Sequence, residues 1–387
     1  MKKKLVSAAL VSCMVVTGLA GCGGSSQTAT TAAPATTAAA TTAAATETTT
    51  AAAETTAVAE TTAAASEAAG EKVDVSSLDP VNLIIYSPGN ENSVPTKTIV
   101  KYSELVKDAS DGKLTLEVHS SNELGNDSEA LSSTRLGDID IVFAGTSGFT
   151  EFYDPAKIYD LPYLFKDADQ AYEVTNSETG AKVFEKMGDV GLEFLAEGDN
   201  GMRQISTTES GGPVHTAADV KGLKIRVPQS QIYTDVWTTL GANPVALALP
   251  ELSMALSNGT AEGQDNATYH LVANATYDSI KYFSYINYMW MGCTMAANKD
   301  KFDSLPEQYQ QILRDQAKVA AKYSFDQIKT DNETGRKTLE EAGVQFDDNP
   351  NIQSFKDALG GEDFYKKYAN EAWYNQDLLD EILAYNK

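Results

Sequence analysis

Gly222-Leu223-Lys224-Ile225-Arg226-Val227-Pro228 is the stretch on which the reading of this chain turns. A short apolar run carries one arginine and is ended by a proline. It reads as a strand that delivers a single cation to its own end. Further on come Gly241-Ala242-Asn243-Pro244-Val245, then Leu249-Pro250-Glu251-Leu252-Ser253-Met254-Ala255-Leu256, then Gly263-Gln264-Asp265-Asn266. A buried arginine without an anionic partner is costly. Arg226 therefore needs either a protein carboxylate or a ligand.

Outward from this stretch the chain alternates strands and helices. Residues 81–86 are apolar and read as a buried first strand, followed by a turn-rich segment from Ser87 to Asn92 that includes Asn90. Residues 98–109 have helical spacing, 113–119 alternate as a strand, 127–136 read as a helix and 139–143 as a strand. That order predicts a mostly parallel α/β sheet, in which ligands gather at the carboxyl ends of the strands. Residues 159–165 read as a packed, proline-broken loop, 167–186 as a helix and 192–196 as a strand. A second α/β run follows. It comprises a short helix at 216–221, a strand at 223–227, a helix at 231–240, a strand at 243–246 and a helix from Pro250 to Asn258. Residues 282–297 suit one long strand crossing between lobes. Residues 305–342 suit one very long helix with a kink near Gly335, and 352–385 a helical tail.

The N-terminus has a different character. Lys2, Lys3 and Lys4 precede an apolar run that ends at Leu19-Ala20-Gly21-Cys22. Residues 1–21 read as a secretory signal. Small residues before Cys22 resemble a bacterial lipoprotein box, so Cys22 is expected to carry lipid. Residues 22–71 are the lipidated cysteine and an Ala/Thr-rich linker without the apolar residues of a core. About 316 residues remain, a length that suggests two lobes.

The chain of 387 residues has a formal charge of −24. So acidic a surface argues against nucleic acid and against anionic membrane partners. The expected membrane contact is through the N-terminal lipid only. With Cys13 and Cys22 set aside, Cys293 has no partner for a disulfide or a cysteine metal site. The sequence has no Gly-x-Ser-x-Gly elbow, no P-loop, no Gly-x-Gly-x-x-Gly and no His-x-x-x-His. His119, His215 and His270 are far apart in sequence and read as surface or packing histidines. No cofactor and no enzymatic activity are expected. Binding fits better. Arg226 offers a planar fork that matches a carboxylate, Asn266 can donate and accept beside it, and Arg203 can supply a second cation. For each, a structural role (a salt bridge for Arg226, a turn position for Asn266) is the competing reading.

At these residues the chain resembles the extracytoplasmic solute receptors of tripartite ATP-independent periplasmic transporters, the dicarboxylate and sialic-acid receptor type. The resemblance covers residues 81–342. It rests on Leu124-Gly125-Asn126-Asp127, Leu161-Pro162-Tyr163, Gly201-Met202-Arg203-Gln204, the run from Asp219 to Pro228, Gly241-Ala242-Asn243-Pro244, Glu251 with Ala255-Leu256, and Gly263-Gln264-Asp265-Asn266. It implies an α/β, two-lobe periplasmic-binding-protein-like fold with hinge strands and a long helix spanning both lobes. Lobe I would be 72–200 with 292–331, and lobe II 201–291 with 332–387. It implies an organic acid in the cleft, its carboxylate paired by Arg226, with Arg203 and Asn266 as further contacts. Asp127 and the turn bearing Tyr86 and Asn90 would face the ligand from the first lobe. Thr146, Gln229, Tyr269 and Trp290 are further candidate wall residues.

The departures from sialic-acid receptors are Gly145 in place of a glutamate, Leu249 in place of a phenylalanine, Pro88 in place of an asparagine, and Ala267 in place of a proline. They point to a different organic acid, of the C4-dicarboxylate or sugar-acid class. Membrane subunits of the transporter are the implied partner. A receptor for an ATP-driven importer, or a sensory ligand-binding subunit, are the alternative readings.

Overall fold

Two blocks of parallel strands are joined by two long antiparallel strands, one laid down between the blocks and one after them. The computed structural model describes residues 73–385. The expected signal, Cys22 and the linker lie outside them. In the first block, β1 (Val81–Tyr86), α1 (Val94–Ala109), β2 (Leu114–His119), α2 (Asp127–Leu136), β3 (Ile141–Gly145) and the short α3 (Thr146–Phe149) follow one another. Helix α1 starts four residues earlier than its apolar spacing predicts. Ser93 caps it by accepting from the Thr96 amide at 3.4 Å, and Pro95 is preorganised in the first turn. The expected helix over 167–186 is two helices, α4 (Ala168–Thr175) and α5 (Glu178–Phe184), because Ser177 caps a second start.

Strand β4 (Leu192–Thr207) is three times longer than its apolar portion. The chain continues through β5 (Lys224–Val227), α6 (Gln231–Thr239), β6 (Asn243–Ala246), α7 (Leu252–Ser257), β7 (Gly263–Asn266), α8 (Thr268–Ala273) and β8 (Tyr282–Asn298). The short helix expected at 216–221 is a succession of turns. Then come α9 (Lys299–Asp303), α10 (Glu307–Glu341) and β9 (Gln345–Asp347). The expected helical tail is broken into α11 (Ile352–Leu359), a 3-10 stretch Gly361–Tyr368 and α12 (Gln376–Ala384), with Gly360 and Gly361 at φ 80° and 59°. Helix α12 rests on α5, where Lys182 donates to both oxygens of Glu381 at 2.8 and 2.6 Å.

The sheet order is β2-β1-β3-β8-β4-β7-β5-β6, with β9 added to β8. Neighbours are parallel within each end block and antiparallel at β3–β8, β8–β4 and β4–β7. The pairing of β4 with β8 shifts register between Asp199 and Gly201. Such a bulge bends the strand and re-aims a side chain, here that of Asn200. Gly201 has φ 97°, and a Cβ there would lie 2.6 Å from the Ala267 Cβ.

Helix α10 has 35 residues and is about 52 Å long. Its buried face runs Tyr309, Ile312, Leu313, Ala317, Ala320, Ala321, Ser324, Phe325, Ile328, Gly335 and Leu339, a stripe at helical spacing. It packs on β4, α1 and α8. Consecutive residues hold the latter two. Lys97 of α1 pairs with Asp331 at 2.7 Å, and the Tyr269 amide of α8 donates to Asn332 at 3.0 Å. Helical structure is continuous through Gly335 rather than broken there. A Cβ at that position would meet the Tyr269 Cα at 3.4 Å, so the missing side chain serves the close approach of α8. Gly343, at φ 85°, ends the helix.

Two carboxyls are buried in the joining strands without a cation beside them. Glu197 accepts from the Thr146 and Thr294 hydroxyls at 2.5 and 2.6 Å, and a Cβ on Gly292 would strike it. Asp199 accepts from the Gly201 amide at 2.7 Å and the Trp290 indole at 2.8 Å. Burial pushes the Glu197 pKa up to about 8 and that of Asp199 to about 7. The folded state therefore binds more protons than the unfolded chain between the ordinary carboxyl range and about pH 8, and stability falls as pH rises through that window.

Two outcomes are expected. Gly201→Ala should lower the unfolding free energy by about 1–3 kcal/mol in urea titrations, the cost of a strained backbone plus the clash with Ala267; an unshifted midpoint would refute the account of the bulge. Glu197→Gln should flatten the decline of the urea midpoint between acid and mildly alkaline pH. A decline as steep as the parent's would mean that Glu197 does not carry its proton in the fold.

Candidate functional site

The carboxyl ends of β1, β3, β5 and β7 converge on a cavity of about 250 Å³. Arg226 stands in its wall near the end of β5, buried to 3% exposure. Its Nε and Nη2 donate to the Leu247 carbonyl at 3.0 and 2.7 Å. Among the described residues, no carboxylate lies within 4.0 Å of it and no protein acceptor takes Nη1. Burial and the nearby Arg203 guanidinium push its pKa down to about 10, so it keeps its charge at neutral pH. This is the cation without a partner that the Gly222–Pro228 stretch posed as a question.

Arg203, on β4, also reaches the wall, but it is fully engaged. Its Nε and Nη2 donate to the two carboxylate oxygens of Asp265 at 3.1 and 2.8 Å, and its guanidinium lies 4.7 Å from the Tyr233 ring centroid. Burial opposes its charge, yet the Asp265 carboxylate outweighs burial and raises its pKa. Asp265 in turn accepts from the Trp237 indole at 3.1 Å and from the Tyr288 hydroxyl. Asn266 follows at the end of β7, in register with Gln204. Its Nδ2 donates to Gln264 at 2.8 Å, and no protein donor among the described residues takes its Oδ1.

From the opposite side come residues of the first block. Asn126 caps α2 with Glu129 in a reciprocal box, which fixes Asp127 in the first helical turn. Asp127 Oδ1 accepts from the Gly145 amide at 3.1 Å. Burial raises its pKa, opposed by that amide and by Arg226. Asn90 lines the cavity and donates to the Ala273 carbonyl at 2.7 Å, linking the β1 turn to α8. Gln229 and Leu249 line it as well, as do Gly145 and Pro88.

Four expected wall residues lie elsewhere. Tyr86 is buried with its hydroxyl donating to the Gly125 carbonyl, where it props the α2 cap. Thr146 is turned to Glu197. Trp290 is turned to Asp199 and stacks edge-on with Phe165. Tyr269 donates to Asn200. Each supports a wall residue or its strand from behind, because alternation along a strand or helix sends neighbouring side chains to opposite faces.

Conversely, the cavity contains groups that sequence reading passed over. His270 is buried in the wall, with Nε2 3.2 Å from Asn200 Oδ1 and Nδ1 3.4 Å from Asn274 Nδ2. Burial and the two arginines push its pKa down to about 3, so it is neutral. His270 and Asn274 are one turn apart on and just beyond the helix that follows Asn266, a spacing that could have marked them. Asp160, within the packed loop, reaches the cavity. Its Oδ1 accepts from the Tyr233 hydroxyl at 3.3 Å, its Oδ2 has no partner, and burial pushes its pKa up to about 7. The Ser87 hydroxyl is likewise buried and unpartnered. Ser87 belongs to the turn after β1 that was expected at the site, whereas nothing local in the sequence signalled Asp160. Among the described residues no group of His, Cys, Asp and Glu is arranged to hold a metal ion, and no helix is long and apolar enough to cross a membrane.

Residues 87–371 match the family model of DctP, bacterial extracellular solute-binding protein family 7. The 2,3-diketo-L-gulonate-binding periplasmic protein YiaO of Escherichia coli K12 is 29% identical over 262 residues, 68% of this chain and 79% of the relative. The C4-dicarboxylate-binding periplasmic protein of Rhodobacter capsulatus is 27% identical over 64% of this chain and 74% of its own length. A periplasmic solute-binding protein of a TRAP transporter from Polaromonas, solved with D-erythronate, superposes with a TM-score of 0.74 at 25% identity, covering 79% of this chain and 98% of that one. A neighbour from Roseobacter denitrificans, solved with β-D-glucuronate, has the same fold at a TM-score of 0.73 and 23% identity. Since the match runs from the β1 turn to beyond α11, the chain belongs to the DctP family of bacterial extracellular solute-binding proteins.

Proposed function

We propose that this chain is an extracytoplasmic receptor that captures an organic acid through Arg226 and presents it to the membrane subunits of a TRAP transporter. Arg226 carries the proposal: it is a buried guanidinium with donors to spare and no carboxylate of its own. A ligand carboxylate supplies the missing charge and accepts in the geometry that a planar fork favours. Asn266 offers a free acceptor oxygen beside it, and Arg203, neutralised by Asp265, shapes the wall and adds field rather than a second open cation. The ligands named for the two curated relatives and for the Polaromonas structure are all organic acids, which supports the class. The family match favours a TRAP receptor over an ATP-driven importer's receptor or a sensory subunit. Binding and release, without turnover, complete the proposed role.

The expected lobe boundaries receive support from strand register. The breaks at 200/201 and 291/292 fall opposite each other, at the pairs Asp199–Gly292 and Gly201–Met291, where the register shifts. The break at 331/332 falls between the residues that hold α1 and α8 to the long helix. A hinge at these places lets the two blocks close on the ligand. Cys22 is proposed as the lipid anchor, with the mature protein outside the cell membrane.

Arg226→Ala should weaken binding of the cognate acid by about 2–5 kcal/mol in calorimetry, as for a broken buried charge pair. The acid is found first by a thermal-shift screen of organic acids, since a true ligand raises the melting point as its concentration exceeds Kd. Undiminished binding by the variant would remove Arg226 from the site. The protein should incorporate labelled fatty acid and Cys22→Ala should abolish that incorporation; a parent protein that takes up no label would rule out the lipid anchor.

A further inference from the structure

The charges of the cavity wall are few, and their pairing differs from one to the next. Arg226, Arg203, Asp127, Asp160 and Glu151 are the charged-type side chains that line it, and no lysine does. Arg203 is already matched oxygen for nitrogen by Asp265, at 3.1 and 2.8 Å. Only Arg226 remains uncompensated. The other electropositive feature in reach is the N-terminus of α2. It is satisfied by the Asn126 cap, at 3.1 Å from the Glu129 amide, and Asp127 stands in its first turn. Thus one cation is open, and a carboxylate faces the same space.

The remaining polar groups suit hydroxyls. Asp127 uses one oxygen on the Gly145 amide, and among the described residues no donor from any other residue takes its carboxylate. Asp160 Oδ2 is buried and unpartnered in the same wall, as is the Ser87 hydroxyl. An alcohol can donate to each acceptor and accept from Ser87. A second carboxylate can donate to none of them, and beside Asp127 it would meet like charge with no cation to offset it.

We infer that the cavity is built for a monoanion, a polyhydroxylated monocarboxylic acid whose single carboxylate sits on Arg226, and that Asp127 excludes a second carboxylate while accepting a ligand hydroxyl. This rests on the organic-acid reading of the site, and it chooses between the two classes which that reading left open. The Rhodobacter relative's C4-dicarboxylate does not carry over.

The test is calorimetry on the purified chain with D-erythronate, D-gluconate and D-glucuronate against succinate and L-malate, repeated with Asp127→Asn and Asp127→Glu. The parent should bind at least one monoacid about tenfold or more tighter than either dicarboxylate, a difference of about 1.4 kcal/mol. Asp127→Asn, which keeps an acceptor oxygen and loses the charge, should narrow that gap by gaining dicarboxylate affinity. Asp127→Glu should keep it. Succinate or malate binding as tightly as every monoacid in the parent would overturn the inference while leaving Arg226 in place. A gap unchanged in Asp127→Asn would overturn the role given to Asp127. If no acid of either class binds, the organic-acid reading itself fails and this inference with it.

Discussion

The buried pair between Arg203 and Asp265 sets the electrostatics of this protein. Two guanidiniums approach one cavity from β4 and β5, the strands on either side of β7, and two open cations there would repel each other. Asp265 takes the full fork of Arg203 and is held in turn by Trp237 and Tyr288. The consequence is asymmetry. One arginine is part of the frame, and the other is a charge that the protein leaves unanswered. Breaking such a pair would strand a buried ion, which is far more damaging than never having built it.

That asymmetry depends on the paired strands β4 and β8. Register along β4 places Arg203, and a bulge one turn of the ladder earlier swings Asn200 into the cavity. Strand β7 then brings Asp265 against β4 and Asn266 to the cavity. Beneath them lie Glu197 and Asp199, carboxyls whose pKa burial raises and which hydroxyl, amide and indole donors hold. The frame therefore tolerates acidic groups at its centre by surrounding them with donors and raising their proton affinity, while the surface keeps its charge in water.

Legibility in the sequence followed from how local each cause is. Arg226, Asn266, Asp127, Asn90, Gln229 and Leu249 sit at strand ends, caps and turns, and all line the cavity. Strand β4 beyond residue 196 was not legible, since Glu197-Gly198-Asp199-Asn200-Gly201 reads as a turn and is extended only because β8 pairs with it. Tyr86, Thr146, Tyr269 and Trp290 are beside the site in sequence but face away from it. Asp160 reaches it through tertiary packing that no short spacing encodes.

By itself, then, the sequence determined the α/β order, the long helix and the cation at the end of β5, because periodicity, caps and proline stops act within a few residues. It assigned Arg226 to the ligand carboxylate and offered Arg203 as a second cation for the ligand, without showing that Arg203 is paired within the protein. Sequence alone gives neither arginine its partner in a strongly acidic chain. Tertiary structure decided that, through the register that sets Asp265 on Arg203 and leaves Arg226 facing only a carbonyl. Pairing across a sheet is a long-range choice, and the strength of a buried charge is set by what that choice places beside it.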